Sequence, residues 1–247
     1  MDNKIISVWG NSGSGKSVIS GMIARYFAES GKKVIIMSLD CTTPMMPIWL
    51  PQDKIEQNDS LGVALTKRKI LIEHFAKRVQ IYKPYPNIGF LAFVQEDCFI
   101  NYSLEYEKII AGIKAVREIC DVLVLDCPTS FTDITIPASI EMCDYSLCVL
   151  TPDLKGVSYY KSNKGLLYAE KFKNCKQFKI LNKAKSFDAT KEISNAVKGV
   201  DYIYPYIADV EHAFFSGDAV NTLRFSPDIE NTFKNMFKEN RKENKDE

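Results

Sequence analysis

Apolar residues in this chain cluster in short runs, and each run is closed by a polar or turn residue. Residues 4–9 hold Ile5, Ile6, Val8 and Trp9, and residues 18–28 behind them carry apolar positions at helical spacing. Gly31 stops that helix. Residues 33–39 form a second run, apolar on both faces as a fully covered parallel strand must be. The pattern predicts further strands at 88–93, 121–126, 145–150, 177–182 and 201–204, with 121–126 the clearest. It predicts helices at 60–80, from a Ser103 cap to about residue 120, and at 134–143, 156–171 and 228–238. In the 103–120 helix, Tyr106, Ile109, Ile110, Ile113 and Val116 make one apolar stripe.

Strand and helix patterns that alternate in this way predict an α/β fold, a mostly parallel central sheet flanked by helices in three layers. Residues 1–238 read as a single domain. Residues 239–247 are charged, contain nothing apolar and are expected to fray. Pro44, Pro47 and Pro51 predict a loop over 41–60, not a helix. That loop carries Met45, Met46, Ile48, Trp49 and Leu50, which either form a partner surface or pack down as a local lid. Pro84 and Pro86 mark a turn.

Composition narrows the setting. Of 247 residues, 46% are hydrophobic and 26% charged, as in an ordinary globular protein. The formal net charge is +1, and the basic residues Lys67, Arg68, Lys69, Lys77 and Arg78 read as one solvated helix face. A DNA-binding role would need a much broader basic stripe and is not expected. The seven cysteines are scattered without a C-x-x-C pair or a Cys/His cluster, which argues for reduced thiols and against zinc. Cys120, Cys127, Cys143 and Cys148 lie in or beside apolar runs and are expected in the core. The chain enters its first strand directly, so no signal peptide is expected, and no run reaches the ~18 apolar residues of a membrane span. These features predict a cytoplasmic protein that reaches a membrane only indirectly, through a partner.

The chemistry concentrates where strands end. Gly10-Asn11-Ser12-Gly13-Ser14-Gly15-Lys16-Ser17 fits the P-loop pattern G-x-x-x-x-G-K-[ST], between a strand and a helix that opens at Val18. Its spacing differs from the G-x-G-x-x-G of dinucleotide-binding loops. In a P-loop, backbone N–H groups at a helix N-terminus cradle phosphate, the lysine reaches the β- and γ-phosphates and the hydroxyl ligates Mg²⁺. Residues 10–18 are therefore the candidate nucleotide cradle. Asp126 closes a strand of four apolar residues, so Ser17 and Asp126 are the candidate Mg²⁺ holders. The alternative is that Asp126 is only a polar strand end. Asp40, at the end of the second strand, either orients the attacking water or caps its own turn. Asn182 and Lys183 follow a later strand, where an amide can meet both edges of adenine, or can simply shape a turn. Lys185 stands where a guanine reader needs a carboxylate, which favours ATP over GTP.

In order, these elements resemble the ParA/MinD branch of P-loop ATPases over about residues 1–225. Within that branch the chain is similar to the CpaE/TadZ-like ATPases associated with Tad pilus assembly. The residues that carry the likeness are 7–17, Asp40-Cys41-Thr42-Thr43-Pro44, the 122–128 strand end, Thr151-Pro152-Asp153-Leu154-Lys155-Gly156 and Leu181-Asn182-Lys183. The resemblance implies Mg-ATP binding, an ATP-dependent homodimer, switch loops near Asp40 and Asp126, and protein partners in an assembly or secretion complex. Two positions depart from the branch. Asn11 stands where it typically has a lysine that contacts the partner subunit's phosphates, and Ser38 where it often has an aspartate. Losing that counter-charge predicts firm ATP binding with slow hydrolysis.

Some members of the branch carry a C-terminal membrane helix. Ile229, Phe233, Met236 and Phe237 do fall at helical spacing, although a terminal helix docked on the core is the plainer reading. Two other functions fit parts of the pattern. One is a P-loop kinase for a small molecule, although Arg25, Arg68, Arg78, Arg117, Arg224 and Arg241 form no obvious lid. The other is an interaction module with a vestigial nucleotide site, suggested by Asn11 and Ser38. An Asn11→Lys chain is expected to hydrolyse ATP faster or to dimerise more strongly with nucleotide. Steady-state turnover and sedimentation read the two effects, and no change in either would remove Asn11 as the cause of slow turnover.

Overall fold

The computed structural model describes residues 4–50, 55–95, 97, 104–165, 168–172, 175–210 and 227–238. Its strands are β1 (Lys4–Gly10), β2 (Val34–Ser38), β3 (Gln80–Ile81), β4 (Ile88–Ala92), β5 (Val122–Asp126), β6 (Tyr145–Leu150), β7 (Lys176–Ala184) and β8 (Tyr202–Pro205). They form one sheet in the order β3-β4-β2-β5-β1-β6-β7-β8, parallel except for the β3–β4 pair. The expected mostly parallel sheet is therefore present. β1 lies between β5 and β6, where the strand order reverses. In open α/β sheets that point is where ligands settle, at the carboxyl ends of the strands.

Alternation along β1 fills both faces of the sheet. Ile5 and Trp9 join one core with residues of α3 (Leu61–Leu65), α4 (Ile72–Ala76), α5 (Tyr106–Arg117), α6 (Thr135–Met142), α7 (Leu154–Asn163) and α8 (Thr190–Ala196). Ile6 and Val8 join the other core, under α1 (Lys16–Glu29), α2 (Met46–Trp49) and α9 (Pro227–Met236). Three layers follow from this two-sided burial. Cys120, Cys127, Cys143 and Cys148 are all buried in or beside these cores.

Several segments differ from the sequence reading. The 41–60 region contains helix α2 and a short 3-10 turn at Gln57–Asp59. Pro47 sits in the first turn of α2, where a missing N–H breaks no helical bond. Met46, Trp49 and Leu50 are buried and Trp49 stacks on Phe90 at 5.2 Å, so this stretch packs down and offers no apolar partner surface among the described residues. Pro51 lies outside them. The single helix expected at 60–80 is two, α3 and α4, because Thr66-Lys67-Arg68-Lys69 has no apolar side chain with which to continue a buried face. Its last residues belong to β3. α7 starts earlier and ends at Asn163, capped by Asp153, which accepts the Gly156 N–H at 2.9 Å. β7 extends to Ala184, two residues past the expected end at Asn182, so Lys183 also lies on the strand.

α8 had no counterpart in the pattern, since Ile193 is its one fully buried residue. Ser103 and residues 239–247 lie outside the described residues. At the C-terminus, Ile229, Phe233, Met236 and Phe237 are buried, with Phe233 5.7 Å from Tyr26 and Phe237 5.2 Å from Phe27, both on α1. The apolar face of α9 is thus spent on the core. Among the described residues no helix is long and apolar enough to cross a membrane.

Candidate functional site

β1 ends at Gly10, and its neighbours dictate the turn that follows. A Cβ on Gly10 would stand 1.8 Å from the Val149 carbonyl oxygen on β6, so only glycine lets the loop leave the sheet here. Asn11 then folds back against the same strand end. Its Nδ2 donates to Thr151 Oγ1 at 3.0 Å, and its Oδ1 accepts the Thr151 N–H at 3.0 Å. Thr151 in turn donates to Asp153, the cap of α7, at 2.8 Å. The second residue of the loop is therefore fastened to its own chain. Ser12 and Gly13 form the exposed crest, and Ser14 is buried with no hydrogen-bond partner for its hydroxyl among the described residues. Gly15 has φ +89°, a left-handed conformation, and passes so close to Asn182 that a Cβ would meet Nδ2 at 2.5 Å. Val18 follows in the first turn of α1.

Two charges sit inside this turn. Lys16 donates to Thr129 Oγ1 at 3.0 Å and to the Asn11 carbonyl at 3.4 Å. Burial lowers its pKa, against the opposing pull of Asp126 and Asp40. Asp126, at the end of β5, is almost wholly buried, and desolvation raises its carboxyl from 3.8 to about 6. Hydrogen bonds from Ser17 and Ser20, the latter at 3.2 Å, and the charge of Lys16 offset part of that rise. Desolvation thus disfavours the charged form of each group, although each charge attracts the other. Backbone amides and an ammonium suit phosphate. A hydroxyl and a carboxylate are hard oxygen donors of the kind Mg²⁺ takes, so the residues present fit both groups.

The other candidates divide. Asp40 Oδ1 accepts from Thr42 N at 2.9 Å, Thr42 Oγ1 at 2.7 Å and Thr43 N at 2.9 Å, so Asp40 caps its own turn while lending its charge to the site. Asn182 Nδ2 donates to the Ser14 carbonyl at 2.8 Å. That bond takes one N–H of the amide, so Asn182, which lies on β7 directly against Gly15, holds the loop at the place where the sequence reading put a base contact. Asn182 and Lys183 still line a cavity of about 90 Å³ beside α1, with Val18, Met22, Tyr204, Tyr206, Ile207 and Ile229. That wall was missed, although an aromatic–proline strand end such as Tyr204-Pro205-Tyr206 was a readable signal.

Thr129 was also missed. It lies in the loop after β5, and its carbonyl accepts the Tyr159 hydroxyl at 2.8 Å. The same loop places Phe131 edge-on to Trp9, with ring centres 5.1 Å apart. A hydroxyl three residues beyond the acidic strand end was the signal for Thr129.

No family model matches the sequence, and no curated protein matches it. Solved structures do match its fold. A ParA family ATPase from Chlorobium tepidum TLS superposes with a TM-score of 0.76 at 17% identity, covering 94% of this chain and 98% of that one. The septum site-determining protein MinD of Pyrococcus horikoshii OT3, solved with Mg-ADP, gives 0.70 at 19% identity, covering 90% of each. A chain of the MinC:MinD cell division complex of Aquifex aeolicus gives 0.72 at 16%, covering 95% and 96%. The chain has the P-loop fold of the MinD and ParA ATPases.

The raised carboxyl of Asp126 makes a stability prediction for the nucleotide-free, Mg²⁺-free chain. The folded state holds this proton more tightly than the unfolded state, so stability falls as pH rises from about 4 through about 6 and then levels. Asp126→Asn removes that loss. The variant is expected to match wild type near pH 4 and to exceed it at pH 7 by on the order of 3 kcal/mol, at 1.36 kcal/mol per unit. Urea unfolding of both chains across that range measures the difference, and parallel curves would contradict the shift.

Proposed function

We propose that this chain binds Mg-ATP at residues 10–18 and acts as an assembly or localisation factor of the ParA/MinD type, with slow turnover. One observation carries the reading: a P-loop at the strand-order switch point, with its half-buried lysine beside a buried strand-end carboxylate. The solved MinD with Mg-ADP supports the choice of ligand. In this reading Gly10, Asn11, Ser12, Gly13, Ser14, Gly15, Lys16, Ser17 and Val18 form the phosphate cradle. Lys16 leaves Thr129 for the β- and γ-phosphates, and Asn182 keeps the loop in shape through Ser14. Ser17 and Asp126 hold Mg²⁺, which when bound neutralises phosphate charge. Asp40 Oδ1 is spent on its turn, and the other oxygen of that carboxylate is the group we assign to an attacking water.

Slow turnover follows from Asn11. Its amide carries no charge and is tied to Thr151 of the same chain, so it supplies no counter-charge to a neighbouring active site. A nucleotide-dependent homodimer is supported by the apolar residues around the site. Leu154 is 79% exposed and Phe187 80% exposed, and both lie just beyond the strand ends that carry the loop. The solved MinC:MinD complex supports a protein partner. The pilus or secretion setting draws its support from the sequence resemblance. Residues 1–238 act as one domain in this account.

Lys16→Ala is the direct test. Equilibrium binding of a fluorescent ATP analogue with Mg²⁺ is expected to weaken roughly 100-fold, as losing the phosphate-facing ammonium requires. Unchanged affinity would overturn the proposal.

A further inference from the structure

Two thiols far apart in the sequence meet on the α6 side of the sheet. Cys143 ends α6, and Cys175 lies in the bend that opens β7. The Lys176 N–H donates to the Asp144 carbonyl at 2.9 Å, and Lys176 is the ladder partner of Tyr145 in the β6–β7 pair. The two cysteines therefore stand about one strand spacing (~4.8 Å) apart across the ladder and one residue (~3.3 Å) along it, within the Cα separations that a disulfide spans. Both side chains pack into the same core, and the two thiols are hydrogen-bonded to each other. Cys143 is buried with its Sγ 3.3 Å from the Ile140 carbonyl, and Cys175 is half-buried with its Sγ 3.5 Å from the Phe172 carbonyl.

The pair is unlike the other cysteines. Among the described residues the remaining four are all buried. Burial pushes the thiols of Cys120 and Cys127 up to about 12 and raises that of Cys148 as well, so these three are inert at neutral pH. At Cys175 the direction reverses. The hydrogen bond from Cys143 leads in lowering its pKa, and bonds from its own backbone and the Gln177 side chain add to it against the opposing effect of burial. The same bond to Cys175, followed by burial, raises Cys143.

We propose that Cys143 and Cys175 form a reversible redox site, in which a hydroperoxide oxidises Cys175 and Cys143 resolves the product as an intrachain disulfide between α6 and β7. In the first step the Cys175 thiolate attacks one peroxide oxygen, the O–O bond breaks, and Cys175 becomes a sulfenic acid while an alkoxide, or hydroxide from hydrogen peroxide, leaves. In the second, the Cys143 sulfur attacks the Cys175 sulfur, the S–O bond breaks, and the Cys143 proton leaves with the hydroxyl as water. The two thiols together give two electrons, and the peroxide takes them. A dithiol reductant restores both thiols by exchange. An accessible thiol with a lowered pKa beside a resolving partner is the arrangement that confines oxidation to a reversible step. The site is independent of the nucleotide reading, since it shares no residue with it.

The test treats full-length wild type, Cys143→Ala and Cys175→Ser with hydrogen peroxide at neutral pH, blocks free thiols with N-ethylmaleimide and maps tryptic peptides by mass without reductant. Wild type is expected to yield a Cys143–Cys175 linked peptide that dithiothreitol abolishes. Cys143→Ala is expected to accumulate sulfinic acid on Cys175, and Cys175→Ser to leave Cys143 unoxidised. In untreated wild type, N-ethylmaleimide is expected to label Cys175 roughly tenfold or more faster than Cys120, Cys127 and Cys148. Sulfinic acid on wild-type Cys175 without the linked peptide would overturn the proposal. So would linkage of Cys175 to any other cysteine, in the same chain or a second copy, or labelling of all four thiols at one rate. If a variant fails to fold, the wild-type map decides.

Discussion

A half-buried ammonium and a buried carboxylate lie together at the carboxyl ends of β1 and β5, and both are pushed toward neutrality. Desolvation lowers the pKa of Lys16 and raises that of Asp126, although each charge pulls the other back. An isolated pair of this kind is a poor source of stability, because taking two ions out of water costs more than their attraction returns unless further partners complete them. The Lys16–Thr129 bond and the Ser17 and Ser20 bonds to Asp126 supply part of that completion. Burial still disfavours the charge on each group. A metal-bound polyphosphate would bring phosphate charge to Lys16 and a cation to Asp126.

The rest of the site consists of devices that hold the loop around this pair before any ligand arrives. Two adjacent strand ends grip it: β6 through Val149 at Gly10 and Thr151 at Asn11, and β7 through Asn182 at Ser14 and Gly15. Preorganisation of this kind lowers the ordering cost of binding. In the proposed function, an asparagine clamped to β6 offers no charge to another subunit, and the same two hydrogen bonds would favour binding over hydrolysis.

Much of this was legible in the chain. The runs 4–9, 121–126 and 145–150 are too apolar for half-exposed strands, and the glycines of residues 10–17 have one physical use at a strand–helix joint. Fold class, the loop, Lys16 and Asp126 could therefore be placed from pattern. What escaped depends on contacts between distant segments. A basic stretch such as 66–69 has helical propensity, yet it has nothing to bury, and two short helices replace one. α8 is held by a single fully buried side chain, too weak a stripe to read. The Asn182 amide was expected beside a base, and its bond to the Ser14 carbonyl is a contact between β7 and the loop that no motif announces. Thr129 had as its only signal a place three residues past Asp126, and the packing of the loop after β5 is what brings it to Lys16.

The central claim is that residues 10–18 and Asp126 together bind a metal-complexed nucleotide. Calorimetric titration of the wild-type chain with ATP, with and without Mg²⁺, tests it most directly. The account predicts a single saturable site whose affinity rises when Mg²⁺ is present. An absence of binding heat under both conditions, with the chain folded, would contradict it.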